Sequence, residues 1–102
     1  MKLHIVPGSP NSRKVEAVIR HLDLEVEITE HDLFAGDLRK PSYLIINPDG
    51  RVPTLEDGEF ILGESVAIMQ YLADKAGDGK LFPRELRARA DVVRWQCWDR
   101  TR

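Results

Sequence analysis

The sequence predicts an α/β fold: a small four-stranded mixed sheet with flanking helices, followed by a separate C-terminal helix. Three observations carry this. A β-prone run, an amphipathic helical run and a second β-prone run come one after another within the first 30 residues, the order of a right-handed crossover between parallel strands. Asp57-Gly58 then sits between two short β-prone runs, the strongest local hairpin signal. Finally, Ile68, Met69 and Leu72 fall at helical spacing ahead of Gly77, a helix with its stop.

Each element has its own local reason. Leu3-His4-Ile5-Val6 is β-rich and ends at Pro7-Gly8, residues that break a strand. Ser9-Pro10 places a capping residue before a proline at the first helical position. Val15, Val18, Ile19 and Leu22 then lie on one face of the helix. Glu25-Val26-Glu27-Ile28-Thr29 alternates charged and β-branched residues and reads as a half-exposed strand. Residues 30–40 read as a polar loop. Tyr43-Leu44-Ile45-Ile46 reads as one short helical turn after Pro41, closed by Asn47-Pro48. Thr54-Leu55-Glu56 and Glu59-Phe60-Ile61-Leu62 form the hairpin, and a helix runs from about Glu64 to Ala76. The resulting arrangement is thioredoxin-like. From Pro83 the chain turns into a long helix, with Leu86, Ala90, Val93 and Cys97 spaced three or four apart and Trp95 and Trp98 near that face. This helix has three options: folding back on the small domain, pairing between chains, or packing on chain beyond Arg102. The last is the expectation. Residues 1–80 then form the domain, and 81–102 a linker and the first helix of an all-helical domain.

Composition excludes several classes. A net charge of −2 over 102 residues gives no electrostatic footprint for nucleic acid or an anionic membrane. No apolar run approaches the ~18 residues of a spanning helix, and Pro7 interrupts the start too early for a signal peptide, so a cytoplasmic location is expected. Cys97 is the single cysteine, which excludes an internal disulfide and a Cys-x-x-Cys centre. His4, His21 and His31 show no metal-ligand spacing, so each is expected to be a surface or half-buried side chain, and no metal is expected.

The stretch from Asn47 to Lys75 carries the chemistry. A helix beginning at Glu64-Ser65 offers free N–H groups and a positive dipole end to an anion. Just upstream, an X-Pro bond at Val52-Pro53 can be cis. Together they suit a small extended ligand with a carboxylate at one end, peptide-like rather than a nucleotide. For the residues taken singly, Ser65 reads equally as a helix cap and Glu64 as an acid complementing the helix dipole.

Asn47-Pro48-x-Gly50-x-Val52-Pro53-x-Leu55, Asp57-Gly58 and Leu62-x-Glu64-Ser65-x-Ala67-Ile68-x-x-Tyr71-Leu72 resemble the glutathione-binding domain of cytosolic glutathione S-transferases. Pro7-Gly8-Ser9-Pro10-Asn11-Ser12-Arg13 is similar to the opening of the serine-type classes, theta and delta. The resemblance covers residues 1 to about 80. It implies that Val52 pairs through its backbone with the cysteinyl part of glutathione, like an added strand, and that Pro53 is cis to expose that backbone. It implies that Glu64 and Ser65 hold the γ-glutamyl end, and that Lys40 and Arg51 meet the glycyl carboxylate or the mouth of the site. The chain departs from the delta-class pattern at Leu38 and Gly50, where histidines are usual, so the glycyl contacts are expected to differ.

The same resemblance implies conjugation of glutathione, as co-substrate, to small electrophiles. Ser9 would activate the thiol by donating its hydroxyl to sulfur at the positive end of the first helix. Ser12 is the alternative, since Ser9-Pro10-Asn11-Ser12 lies where thioredoxin-like oxidoreductases carry Cys-x-x-Cys. Serine in both places rules against dithiol redox chemistry. Two other readings use this scaffold: a non-catalytic protein-association module, and a glutathione-dependent isomerase or dehalogenase. The resemblance also implies a homodimer of the full-length protein.

Overall fold

A computed structural model describes residues 1–77 and 79–101. The strands are β1 (Lys2–Ile5), β2 (Glu27–Glu30), β3 (Thr54–Asp57) and β4 (Phe60–Gly63), and they form one sheet in the order β2-β1-β3-β4. β1 is parallel to β2 and antiparallel to β3, and β3 is antiparallel to β4. The helices are α1 (Pro10–His21), α2 (Pro41–Leu44), α3 (Ser65–Ala76) and α4 (Leu86–Thr101). The mixed sheet and its flanking helices are the thioredoxin-like arrangement. Among the described residues no helix is long and apolar enough to cross a membrane.

Strand alternation divides the sheet into two faces of different character. Leu3 and Ile5 of β1 and Leu55 of β3 share one face, where they form the core with Val15 and Ile19 of α1 and Ile68 and Leu72 of α3. Each such side chain, once fully buried, contributes about 1.5–3 kcal/mol. His4, Thr54 and Glu56 alternate onto the opposite face, under α2. There Tyr43 is buried, and its ring stands edge-on to His4 and His31 at centroid distances of 5.6 and 4.9 Å.

Several boundaries differ from the sequence expectation. β2 begins at Glu27, not Glu25, because its parallel partner begins at Lys2 and Lys2 stands opposite Glu27. The loop over 30–40 contains order of its own. The Asp32 side chain accepts from the N–H groups of Phe34 and Ala35, Gly36 takes a positive φ of 78°, and Asp37–Arg39 form a 3₁₀ turn that buries Leu38. α2 begins at Pro41 with Lys40 as its cap, since proline is pre-set for the first helical position.

The tail is a helix, but not on the expected face. Leu86 is 80 % exposed, Ala90 and Cys97 are also exposed, and of the four expected residues Val93 is the half-buried one. Val92 and Gln96 instead line a small apolar cavity of about 170 Å³ with Val18, Met69, Ala73 and Phe82. Polar ties hold α4 to the domain: Arg89 to Asp74 at 2.8 Å, Gln70 to Gln96 at 2.8 Å, and Lys14 to Asp99. Long side chains, rather than the apolar stripe, make this contact. The expectation that the helix reaches Arg102 falls, at its last residue, outside the described residues.

The three histidines are not all scattered in space. Parallel pairing of β1 with β2 carries His31, just past β2, to within 2.8 Å of His4 (Nε2 to Nδ1), and His4 Nε2 lies 2.5 Å from Glu56 Oε2. A carboxylate only accepts, so His4 Nε2–H donates to Glu56, while His4 Nδ1 and His31 Nε2 share one hydrogen bond. Burial first, then the charges of His4 and Lys40, hold His31 below its ordinary value of 6.5, with Asp37 opposing. A depressed histidine binds fewer protons folded than unfolded, so it withdraws stability as pH falls from 6.5 through the folded value. Asp57 and Asp74, held low chiefly by hydrogen bonds from Tyr71 and Arg89, lose their contribution only below 3.8. The two windows separate. Urea midpoints measured across pH should fall below 6.5 in the parent and more gently in His31→Asn; an unchanged slope in the variant would clear His31 of that loss.

Candidate functional site

The loop before β3 is folded by Asn47. Its side-chain carbonyl accepts from the Asp49 N–H at 3.0 Å, its backbone carbonyl accepts from the Gly50 N–H at 2.9 Å, and its Nδ2 donates to Thr54 Oγ1 at 3.0 Å and to the Arg51 carbonyl at 3.2 Å. Tyr43 Oη donates to the same Arg51 carbonyl. Burial raises the Tyr43 phenol above its ordinary value, so it stays protonated and remains a donor. Gly50 has a φ of +63°, and a Cβ there would lie 3.1 Å from the Leu38 carbonyl. A side chain at this point would be strained, which accounts for glycine in a turn this tight.

These restraints present Arg51-Val52-Pro53 along a cleft of about 530 Å³. The Val52–Pro53 peptide is cis and Pro53 is buried. Neither the N–H nor the C=O of Val52 joins the sheet ladder or any loop hydrogen bond among the described residues. An unpaired backbone edge of this kind can pair with an extended ligand.

Across the cleft, Gly63 and Glu64 line the start of α3. Glu64 caps that helix with φ 69° and ψ 119°, and its carbonyl accepts from the Ile68 N–H at 3.0 Å. A non-glycine residue in this region is strained by about 1–3 kcal/mol, a cost that clusters at ligand sites. The Glu64 side chain is exposed. Ser65, the first residue of α3, is only 2 % exposed and its hydroxyl has no hydrogen-bond partner among the described residues.

Arg51, Val52, Pro53 and Glu64 therefore share one cleft. Ser9, Ser65 and Lys40 are not among its lining residues, although Asn11 and Glu64, close in sequence to the two serines, are. Lys40 pairs with Asp37 at 2.9 Å and faces a separate groove with His31, Ser42 and Tyr43. Ser9 caps α1 through its backbone, accepting from the Arg13 N–H at 2.9 Å, while its hydroxyl makes no capping bond. That hydroxyl is unspent on the helix. Ser12 is 0 % exposed, and its Oγ is buried without a partner among the described residues.

Sequence reasoning did not single out Asn11, Asn47, Asp49 or Arg100 as lining the cleft. Asn47 had a usable signal, since Asn-Pro-Asp-Gly is a turn sequence. Arg100 had none: α4 brings it in through tertiary packing.

Comparison with known proteins gives a consistent result. The family described as "Glutathione S-transferase, N-terminal domain" matches residues 3–80. Glutathione S-transferase 3 of Zea mays is 38% identical over 100 residues, covering 96% of this chain and 43% of the relative. Glutathione S-transferase 2 of Anopheles gambiae is 36% identical over 94 residues, covering 90% of this chain and 45% of the relative. Among solved structures, the Bombyx mori glutathione transferase BmGSTD1 superposes with a TM-score of 0.92 at 35% identity, over 96% of this chain and 46% of that one. The chain spans less than half the length of these relatives.

Proposed function

We propose, because this chain belongs to the glutathione S-transferase family through its N-terminal domain, that residues 1–80 bind glutathione and activate its thiol. Residues 81–102 would be the linker and first helix of a helical domain. The carrying observation is the cleft in which the unpaired Val52 backbone faces Glu64 at the start of α3. Glutathione lies extended along it. The cysteinyl backbone pairs with Val52 as an added strand. The Ser65 N–H and hydroxyl donate to the α-carboxylate of the γ-glutamyl end at the helix N-terminus, and Glu64 takes the ammonium. Arg51 serves the glycyl carboxylate. Lys40 stays paired with Asp37 in its own groove, which leaves the glycyl end to Arg51.

The thiol of glutathione, like that of free cysteine, has a pKa near ~8.5 and is mostly protonated at neutral pH. Donation from Ser9 to sulfur, at the positive end of α1, favours the thiolate. The thiolate then attacks an electrophilic carbon and the leaving group departs from that carbon. The pocket for the electrophile and a homodimer contact belong to the whole protein in this reading, and a cytoplasmic location goes with it.

Calorimetric titration with glutathione tests the reading. The parent chain binds, and Ser65→Ala weakens binding by roughly 10- to 100-fold, the effect of removing a hydrogen bond to a charged group. No heat from the parent, or an unaffected Ser65→Ala, would remove the site from this cleft.

A further inference from the structure

We infer that Arg100, on the last turn of α4, is a further glutathione-binding residue, taking the γ-glutamyl α-carboxylate while Glu64 takes the adjoining ammonium. This rests on the reading above and extends it to a residue outside the matched domain.

Among the residues lining the cleft, Arg100 is the one contributed by α4. Its Nη2 lies 2.9 Å from Glu64 Oε1, with the two side chains 43% and 65% exposed. An ion pair this exposed is screened by water and adds little to the fold. Its location needs a different account. The neighbouring residue supplies half of it: Asp99 pairs with Lys14 of α1, so the last turn of α4 lies beside the domain with Arg100 next to the start of α3. The cap position of Glu64 supplies the other half, its carbonyl accepting from the Ile68 N–H at 3.0 Å at the helix start.

The γ-glutamyl end of glutathione carries an ammonium and a carboxylate on one carbon. The complementary wall has an anion and a cation side by side, which Glu64 and Arg100 form. When the ligand enters, the protein's own pair opens and each member gains a ligand partner of opposite charge, so no charge is left unpaired. A guanidinium suits this because its planar fork can give a carboxylate two parallel hydrogen bonds. Ser65 and the α3 N-terminus approach the same carboxylate.

The test is calorimetry on the 102-residue chain with three ligands: glutathione, the 4-aminobutyryl analogue lacking the α-carboxylate, and the glutaryl analogue lacking the α-amino group. Arg100→Gln should bind glutathione about tenfold or more weakly than the parent. It should bind the carboxylate-free analogue within about twofold of the parent. Arg100→Lys should recover part of the loss. Arg100→Gln should keep the parent's thermal midpoint within a few degrees, since it removes only an exposed pair. The inference falls if Arg100→Gln binds glutathione as the parent does, or if the same loss appears with the carboxylate-free analogue, which would make Arg100 a positioning residue for Glu64. Those outcomes leave glutathione binding by the parent intact. A parent that binds no glutathione overturns the broader reading and this one together.

Discussion

Leu55→Ala should lose about 2–5 kcal/mol of stability, the range for truncating a leucine in a well-packed core. Leu55 is 0% exposed and sits in β3 between β1 and β4, packed with Leu3, Ile5, Ile68 and Leu72. A domain this size commonly has about 5–15 kcal/mol in total, and each kcal/mol moves the thermal midpoint by about 4–8 °C. The midpoint should therefore drop by at least about 8 °C, read by circular dichroism. Leu55 lies two residues past Pro53, so glutathione affinity should decline in the same variant as the strand that follows Val52-Pro53 loosens. A loss under about 1 kcal/mol would mean that the two helices do not close on the sheet as described.

Ser9→Ala should raise the pKa of bound glutathione's thiol by about one to two units while leaving its affinity within a fewfold. A hydrogen bond to a charged group contributes about 1.5–3 kcal/mol, and about 1.36 kcal/mol corresponds to one pKa unit. The bond in question is made to the thiolate and not to the thiol, so it appears in the titration rather than in binding. Ultraviolet absorbance of the thiolate, measured against pH with the chain saturated, reads this without an electrophile. Under the proposed conjugation reaction, turnover at neutral pH should fall by roughly 10- to 100-fold. Ser12→Ala is the companion measurement. Its Oγ is buried and orphaned among the described residues, a state that costs about 1–3 kcal/mol, so its removal should not harm the fold. If Ser12→Ala moves the thiol and Ser9→Ala does not, the assignment passes to Ser12.

Much of the fold was legible because it is written locally. Pro10 and Pro41 mark helix starts, Gly77 marks a stop, and Asp57-Gly58 marks a hairpin, and each does so whatever its surroundings. The misplaced start of β2 is of another kind: Glu25-Val26 is as β-prone as Glu27-Ile28, and only the partner strand decides where pairing begins. The face of α4 failed for a similar reason. Leu86 and Cys97 form a stripe in sequence, yet the helix turns Val92 and Gln96 to the domain, with Arg89 and Asp99 paired to Asp74 and Lys14. At the candidate site, Val52-Pro53 and Glu64-Ser65 were readable as a motif because each pair is contiguous in the chain and sets its backbone locally, a cis peptide in one and a helix start in the other. Arg100 at the cleft and the His4–His31–Glu56 chain are side chains brought together from distant segments, and no spacing encodes them.

The central position of β1 has a consequence for the order in which the molecule is built. β1, α1 and β2 close on one another over a short span, and β3 and β4 close through a two-residue turn. Joining these halves requires β1 to meet β3, with His4 opposite Thr54 about 50 residues away, a loop closure whose entropy is repaid only after it is complete. Asn11 belongs to the first half and Val52 and Glu64 to the second. The cleft is thus walled mostly by the second half, and Asn11 joins it only when the halves unite.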